Sequence, residues 1–356
     1  MNDKSISPET MRAITQPTSF DIRVKWLIAG AGDIVKSRAA AALAETKNAE
    51  TVAIFAPSAG KAEAIAGQFG IPKVFHDYSQ ALDESGADAV YIATPHHVHV
   101  QMAMQALQAG KHFLCEKPLG INAEECQALL EETRRHPDLV TSCSNYRLFT
   151  NQFRTTRRLI ASGELGELIG GWAHDEEPYY NPSKAPLVRE KGMSPVLGFG
   201  FYLINMAQIL FGTPESVFAC GSSFNCANEA PYDIDDYDNI VLRYANGRQF
   251  AIHLNFATQG PLRHSYEFAL SRGRIVWPGC PPHFNIPVRV AKDRGETEVE
   301  GSFTGGEAGV RPNWHTPMFQ DVTDAILSGG KVLCTVESAV ETARVIEAII
   351  SQLSRP

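Results

Sequence analysis

Val24-Lys25-Trp26-Leu27-Ile28-Ala29-Gly30-Ala31-Gly32-Asp33-Ile34-Val35 is the stretch that decides the fold. Its first six residues read as a buried strand, and the alanine-rich run from about Lys36 to Thr46 reads as a helix. Gly30 and Gly32 stand at the join. Glycines there permit a tight turn and a close approach of backbone to a pyrophosphate, which the free N–H groups and dipole of the next helix favour. Gly30, Gly32, Asp33 and Ile34 are therefore candidate contacts to a dinucleotide. The third glycine of the strict pattern is replaced by Val35, so the helix is expected to sit slightly farther from the strand.

Outward from this unit, Thr51-Val52-Ala53-Ile54-Phe55 reads as the second strand. An acidic residue at its end would bind the ribose hydroxyls of NAD, but the chain continues Ala56-Pro57-Ser58-Ala59-Gly60-Lys61. No carboxylate stands there to repel a 2′-phosphate, Ser58 can donate a hydrogen bond and Lys61 can supply charge, so NADP is expected ahead of NAD.

A further strand runs through Ala89-Val90-Tyr91-Ile92-Ala93-Thr94-Pro95, and His99 to Ala109 has helical spacing up to a stop at Gly110. Then comes Gly110-Lys111-His112-Phe113-Leu114-Cys115-Glu116-Lys117-Pro118-Leu119-Gly120-Ile121, a short apolar strand with a lysine held between a carboxylate and a proline. In an open parallel sheet, ligands sit outside the carboxyl ends of the strands, so Lys117 is aimed into a cleft.

Residues 93–119, Ala-Thr-Pro-His-His-Val-His, a helix, and Gly-Lys-His-Phe-Leu-Cys-Glu-Lys-Pro-Leu, resemble the glucose-fructose oxidoreductase, inositol dehydrogenase and rhizopine-catabolism (Gfo/Idh/MocA) superfamily. The resemblance implies an α/β chain: an N-terminal Rossmann doubly wound parallel sheet, then an α+β domain with a mostly antiparallel open sheet. It implies an NAD(P)-dependent oxidoreductase moving a hydride at a secondary carbinol or carbonyl of a sugar, polyol or keto sugar. Thr94, Pro95, His96, His99 and Glu116 are expected beside Lys117 at the cofactor.

In that superfamily a later helix places an aspartate and, four residues on, a histidine or tyrosine on one face toward the nicotinamide. Here Tyr202 takes the second position and Gly198 the first, within Ser194-Pro195-Val196-Leu197-Gly198-Phe199-Gly200-Phe201-Tyr202. Lys117 and Tyr202 are the candidate catalytic pair. A lysine charge about 4 Å from the phenol at an effective dielectric of ~20 would favour the phenolate by about 4 kcal/mol, or roughly three pKa units, with burial opposing. Substrate candidates are Arg147, Asp175 in His174-Asp175-Glu176-Glu177-Pro178-Tyr179, Tyr179 itself, Arg189, and His315 beside Trp314. The trio His96, His97 and His99 invites a metal, but successive residues of an extended segment point to opposite sides, and no metal site is expected.

The remaining sequence sets the bounds. A chain of 356 residues, 44% hydrophobic, exceeds what one core usually fills, and two domains are expected. Residues 1–20 read as a polar arm, 21–145 as the dinucleotide-binding domain, 146–335 as the substrate and oligomerisation domain, and 336–356 as a helix packing back on the first. Ile234 to Leu254 reads as two alternating strands about an Asn246-Gly247 turn. A net charge of -8 without a basic stretch argues against nucleic acid or an anionic membrane. Gly198 to Gly212, interrupted by Asn205 and Gln208, is too short and polar to span a bilayer. Seven scattered cysteines without a Cys-x-x-Cys pair indicate reduced thiols, and a cytoplasmic location is expected. By analogy the chain forms a homodimer or homotetramer. Two alternatives share the fold: a nucleotide- and sugar-binding regulator without turnover, and a redox-neutral enzyme with tightly held nucleotide.

Overall fold

A computed structural model describes residues 22–177, 194–224, 235–258, 260–277, 287–293, 295–299 and 313–353. The opening strand, β1 (Val24–Ala29), is followed by a π-helical turn over Val35–Ala39 that runs straight into α1 (Ala40–Glu45). The wider turn accompanies Val35, which is fully buried where the strict pattern has glycine. Then come β2 (Ala49–Phe55), α2 (Lys61–Phe69), β3 (Lys73–Phe75), α3 (Tyr78–Glu84) and β4 (Ala89–Ile92). α4 (His99–Gln108), β5 (His112–Cys115), α5 (Ala123–Thr133) and β6 (Thr141–Cys143) complete the unit. The six strands lie in the order β3-β2-β1-β4-β5-β6, all parallel. This is the doubly wound Rossmann arrangement, and its order reverses between β1 and β4, where a crevice opens at the carboxyl edge. β4 is buried at every position, as a strand covered on both faces must be.

The second part begins with α6 (Asn151–Ser162), whose first turn is capped by the Thr150 hydroxyl accepting from the Phe153 N–H. β7 (Leu168–Glu176) follows, and a second π-helical turn, Val196–Gly200, leads into α7 (Phe201–Phe211). The other strands are β8 (Ser216–Ser222), β9 (Tyr237–Arg243), β10 (Gln249–Asn255), β11 (Arg263–Leu270), β12 (Gly273–Trp277), β13 (Val288–Lys292) and β14 (Gly295–Val299). They form an eight-stranded sheet, β14-β13-β12-β11-β7-β10-β9-β8, antiparallel except where β7 meets β10. β9 and β10 are the hairpin read from the alternating pattern, with Asn246 at φ 64° in its turn.

Two helices close the chain, α8 (His315–Ser328) and α9 (Val336–Gln352). α8 lies on the first sheet, with Phe319 edge-on to Trp26 and Tyr91, so the return to the nucleotide unit starts before residue 336. α9 joins both sheets: Arg344 donates to Gln127 of α5, and Gln352 bonds Val217 and Ala219 of β8. No helix among the described residues is long and apolar enough to cross a membrane.

Candidate active site

The carboxyl edge of the parallel sheet holds one wall of the site. Gly30 adopts φ +121° and its N–H donates to Phe55 O. A Cβ there would collide with the carbonyl of Ala93, whereas one on Gly32 would meet nothing within 4 Å. The first glycine is required by crowding between strand ends, and the second leaves open space before the helix N-terminus, which fits a pyrophosphate. Gly32 and Asp33 are exposed there and Ile34 is half-buried.

At the end of β2, Ser58 and Lys61 are both exposed. The sequence leaves no carboxylate in this place, but folding brings one back. Glu63 reaches the Gly60 N–H at the start of α2 and faces His76 at 3.1 Å. Backbone hydrogen bonds, chiefly, hold its carboxyl below the usual range.

Thr94 and His96 are half-buried and Pro95 is exposed, in the loop after β4. His99 differs from its expected place against the nucleotide. It is fully buried, with Nδ1 2.8 Å from Pro118 O and Nε2 2.8 Å from Thr94 O. Its work is to tie the two loops that flank the cleft. Glu116 is buried too: its Oε1 accepts from the Tyr91 hydroxyl at 2.8 Å and lies 3.8 Å from His315 Nε2.

Lys117 extends from this edge toward α7 and donates from Nζ to the Gly198 carbonyl at 2.7 Å. Its ammonium lies 4.5 Å from the centre of the Tyr202 ring and 5.3 Å from that of Phe199. Burial lowers its pKa to about 8 against the pull of Glu116. Where an aspartate was expected, Gly198 thus supplies a backbone oxygen, and a Cβ there would meet nothing within 4 Å.

Tyr202 is buried at 5.0 Å from the Tyr146 ring, with the Arg147 guanidinium 4.7 Å from its own ring centre. The expected depression of its pKa is overturned. Both cations lie over the ring rather than at the hydroxyl, and burial, with Tyr146 and Glu116, pushes the phenol well above its ordinary value. α7 is held in this orientation by Asn205, which accepts from Asn145 at 2.9 Å and donates to Thr342 of α9 at 3.1 Å.

His315 stacks on Tyr146 at 5.4 Å and 23°, and burial lowers its pKa against the pull of Glu116. Arg147 and Asp175, expected on the substrate, form a buried ion pair at 2.6 Å. Tyr266 bonds both partners, and His264 Nδ1 lies 2.7 Å from Asp175 Oδ1. Burial alone would raise the Asp175 carboxyl, but Arg147 and His264 hold it far below the usual carboxylate range. Asp175 is fully buried, so its direct partner is Arg147 rather than a sugar. Tyr179 and Arg189 lie outside the described residues. The sequence reading missed Tyr91, Tyr146, His264 and Tyr266. His264 and Tyr266 alternate toward the interior of β11, the one signal they carry.

Residues 24–143 match the family model described as an oxidoreductase family with an NAD-binding Rossmann fold, and residues 153–276 match the Gfo/Idh/MocA C-terminal domain. The chain belongs to the Gfo/Idh/MocA oxidoreductase family. One relative is an uncharacterized oxidoreductase of Rhizobium meliloti, 30% identical over 253 residues, 71% of this chain and 73% of that protein. Another is the dTDP-3,4-didehydro-2,6-dideoxy-alpha-D-glucose 3-reductase of Saccharopolyspora spinosa, 31% identical over 251 residues, 70% of this chain and 73% of that one. Among solved structures, levoglucosan dehydrogenase in complex with NADH and levoglucosan is similar in fold, with a TM-score of 0.81 at 23% identity over 93% of this chain and 97% of that one. As a member of this family the protein is an oxidoreductase with an NAD(P)-binding fold.

Proposed function

We propose that this oxidoreductase acts on a hydroxyl or carbonyl carbon of a sugar, polyol or keto sugar, with Lys117 as the proton-transfer group and Tyr202 as a hydrogen-bond donor to the reacting oxygen. The observation that carries this reading is Lys117: a half-buried amine with a pKa of about 8 at the carboxyl edge of β5, against a tyrosine on α7. A bound nicotinamide supplies or accepts the hydride. Lys117 Nζ takes the hydroxyl proton during oxidation and returns it during reduction, a role suited to a group titrating near the working pH. Tyr202, with its high pKa, stays protonated and donates to the same oxygen, stabilising the charge that develops there. Gly30, Gly32, Asp33 and Ile34 would hold the pyrophosphate, and Thr94, Pro95 and His96 would flank the nicotinamide. The relative that reduces a nucleotide-linked keto sugar supports the substrate class.

The proposed cofactor is NADP, on the strength of Ser58 and Lys61, with Glu63 acting against it. Titration of the purified protein with NADPH and NADH decides this, and Lys61→Glu is expected to weaken NADPH binding about tenfold while leaving NADH unchanged. Equal loss for both would remove Lys61 from the 2′-phosphate. Ile169, Trp172 and Phe218, exposed on the second sheet, are where a second copy would dock to make the proposed homo-oligomer.

The functional test follows absorbance at the reduced-nicotinamide band across sugars, polyols and keto sugars. Tight nucleotide binding with no turnover on any of them would reject the reading. Its pH dependence has a definite sign. Lys117 must be neutral to accept a proton, so oxidation is expected to rise through about pH 8 and then level, while reduction falls through the same range. A Cβ at Gly198 would meet nothing within 4 Å, and Gly198→Asp places an anion near the ammonium, so the limb should move to higher pH. An unmoved profile would show that Lys117 is not the titrating group.

A further inference from the structure

Folding closes the loop after β2 with a pair of side chains that lie apart in sequence. His76 follows β3, and its Nδ1 lies 2.8 Å from the carbonyl oxygen of Ala56, the first residue after β2. The Ala56 N–H donates to Phe75 O at 3.1 Å, so the exits of the two strands are fixed to one another. The other ring nitrogen, Nε2, lies 3.1 Å from Glu63 Oε1, and Glu63 Oε2 accepts from the Gly60 N–H. One chain of contacts, from Ala56 through His76 and Glu63 to Gly60, thus ties both ends of the loop that carries Ser58. Ala56 O and the carboxylate only accept hydrogen bonds, so the ring meets both with a proton on each nitrogen, and the imidazolium then offsets the Glu63 charge.

The position of this pair gives it a use. In a Rossmann unit the end of the second strand receives the adenosine ribose, where an acidic side chain binds the hydroxyls of NAD and opposes the 2′-phosphate of NADP. Glu63 is a carboxylate that folding brings to that loop, and backbone hydrogen bonds hold it below the usual carboxylate range. The His76 and Glu63 side chains are 46% and 45% exposed, so the pair is open to an incoming nucleotide and contributes little to stability. Resting on the NADP reading above, we propose that His76 sets the cofactor preference by occupying Glu63. With His76 in place the loop admits a 2′-phosphate beside Ser58 and Lys61. Without it Glu63 swings to the ribose hydroxyls, and the site turns toward NAD. His76 is a positioning residue, since it acts through Glu63.

The test titrates the full-length protein with NADPH and with NADH at low ionic strength, following nucleotide fluorescence. It compares wild type, His76→Ala, Glu63→Gln and the double variant. Glutamine can still accept from the Gly60 N–H, so Glu63→Gln removes only the charge. His76→Ala should raise the Kd for NADPH about three- to tenfold and leave that for NADH unchanged or lower. In the Glu63→Gln background the same change should move neither Kd by more than about twofold, and Glu63→Gln alone should tighten NADPH. Equal loss of both nucleotides in His76→Ala would make the pair a structural clamp and overturn the proposal, as would no change at all. An NADPH loss that persists in the Glu63→Gln background would also overturn it, because His76 would then act without Glu63. Wild type that binds NADH but not NADPH would fail the NADP reading and the proposal with it, and the wild-type titration alone tells this apart from the other outcomes.

Discussion

Lys117→Met should reduce turnover by about 10³- to 10⁴-fold while leaving NAD(P) affinity within about twofold of wild type. Methionine keeps the length and apolar body of the chain and removes only the amine. The amine makes one hydrogen bond, to the Gly198 carbonyl, and burial already disfavours its charge. The variant should therefore fold, and its thermal midpoint should not fall. Single-turnover measurements with prebound nucleotide separate the chemical step from binding. Retention of more than about a tenth of the rate would exclude Lys117 from proton transfer. Tyr202→Phe should be milder, because it removes only the proposed donor and the ring keeps both cation contacts.

The second large effect is on stability. Asp175→Asn is nearly isosteric but strips the counter-charge from Arg147 and His264 in a site closed to water. Leaving a buried cation uncompensated costs about 3–5 kcal/mol, seen as a lower urea midpoint. A depressed carboxyl pKa contributes stability above the unfolded value of about 3.9, and that contribution is lost as pH falls toward the folded value. The gap between wild type and variant should thus be full at pH 7 and close in strong acid. A variant as stable as wild type at pH 7 would mean that water or a neighbour replaces the charge. Activity should fall as well, since the Arg147 guanidinium lies over the Tyr202 ring.

Much of the nucleotide half was legible residue by residue. Val24–Ala29 and His99–Gln108 fall where periodicity and punctuation put them, because each buries its own regular stripe. The Asn246-Gly247 turn was readable for the same reason: local dihedral preference decides it. The cleft was legible only in part. Lys117 and Tyr202 come from short segments that resemble the family's, and the Lys117 ammonium lies 4.5 Å from the Tyr202 ring centre. Asp175 and His99 are expected as ligand contacts because their segments line the cleft in the resembled family, yet each is fully buried among protein partners. No local pattern in His264-Ser265-Tyr266 reports that Asp175, 89 residues away from His264, closes the ion cluster.

The sequence by itself determined the fold class, the nucleotide-binding turn and the lysine at the end of β5, since these follow from interactions between near neighbours along the chain. Tertiary structure alone decided the electrostatics. Whether a carboxylate ends as a ligand contact or a buried counter-ion, and whether a lysine lowers a phenol's pKa or lies over its ring, depends on distances and desolvation set by elements far apart in sequence. That is why the pKa of Tyr202 rises where the sequence predicts a fall, and why the proposal gives proton transfer to the amine of Lys117.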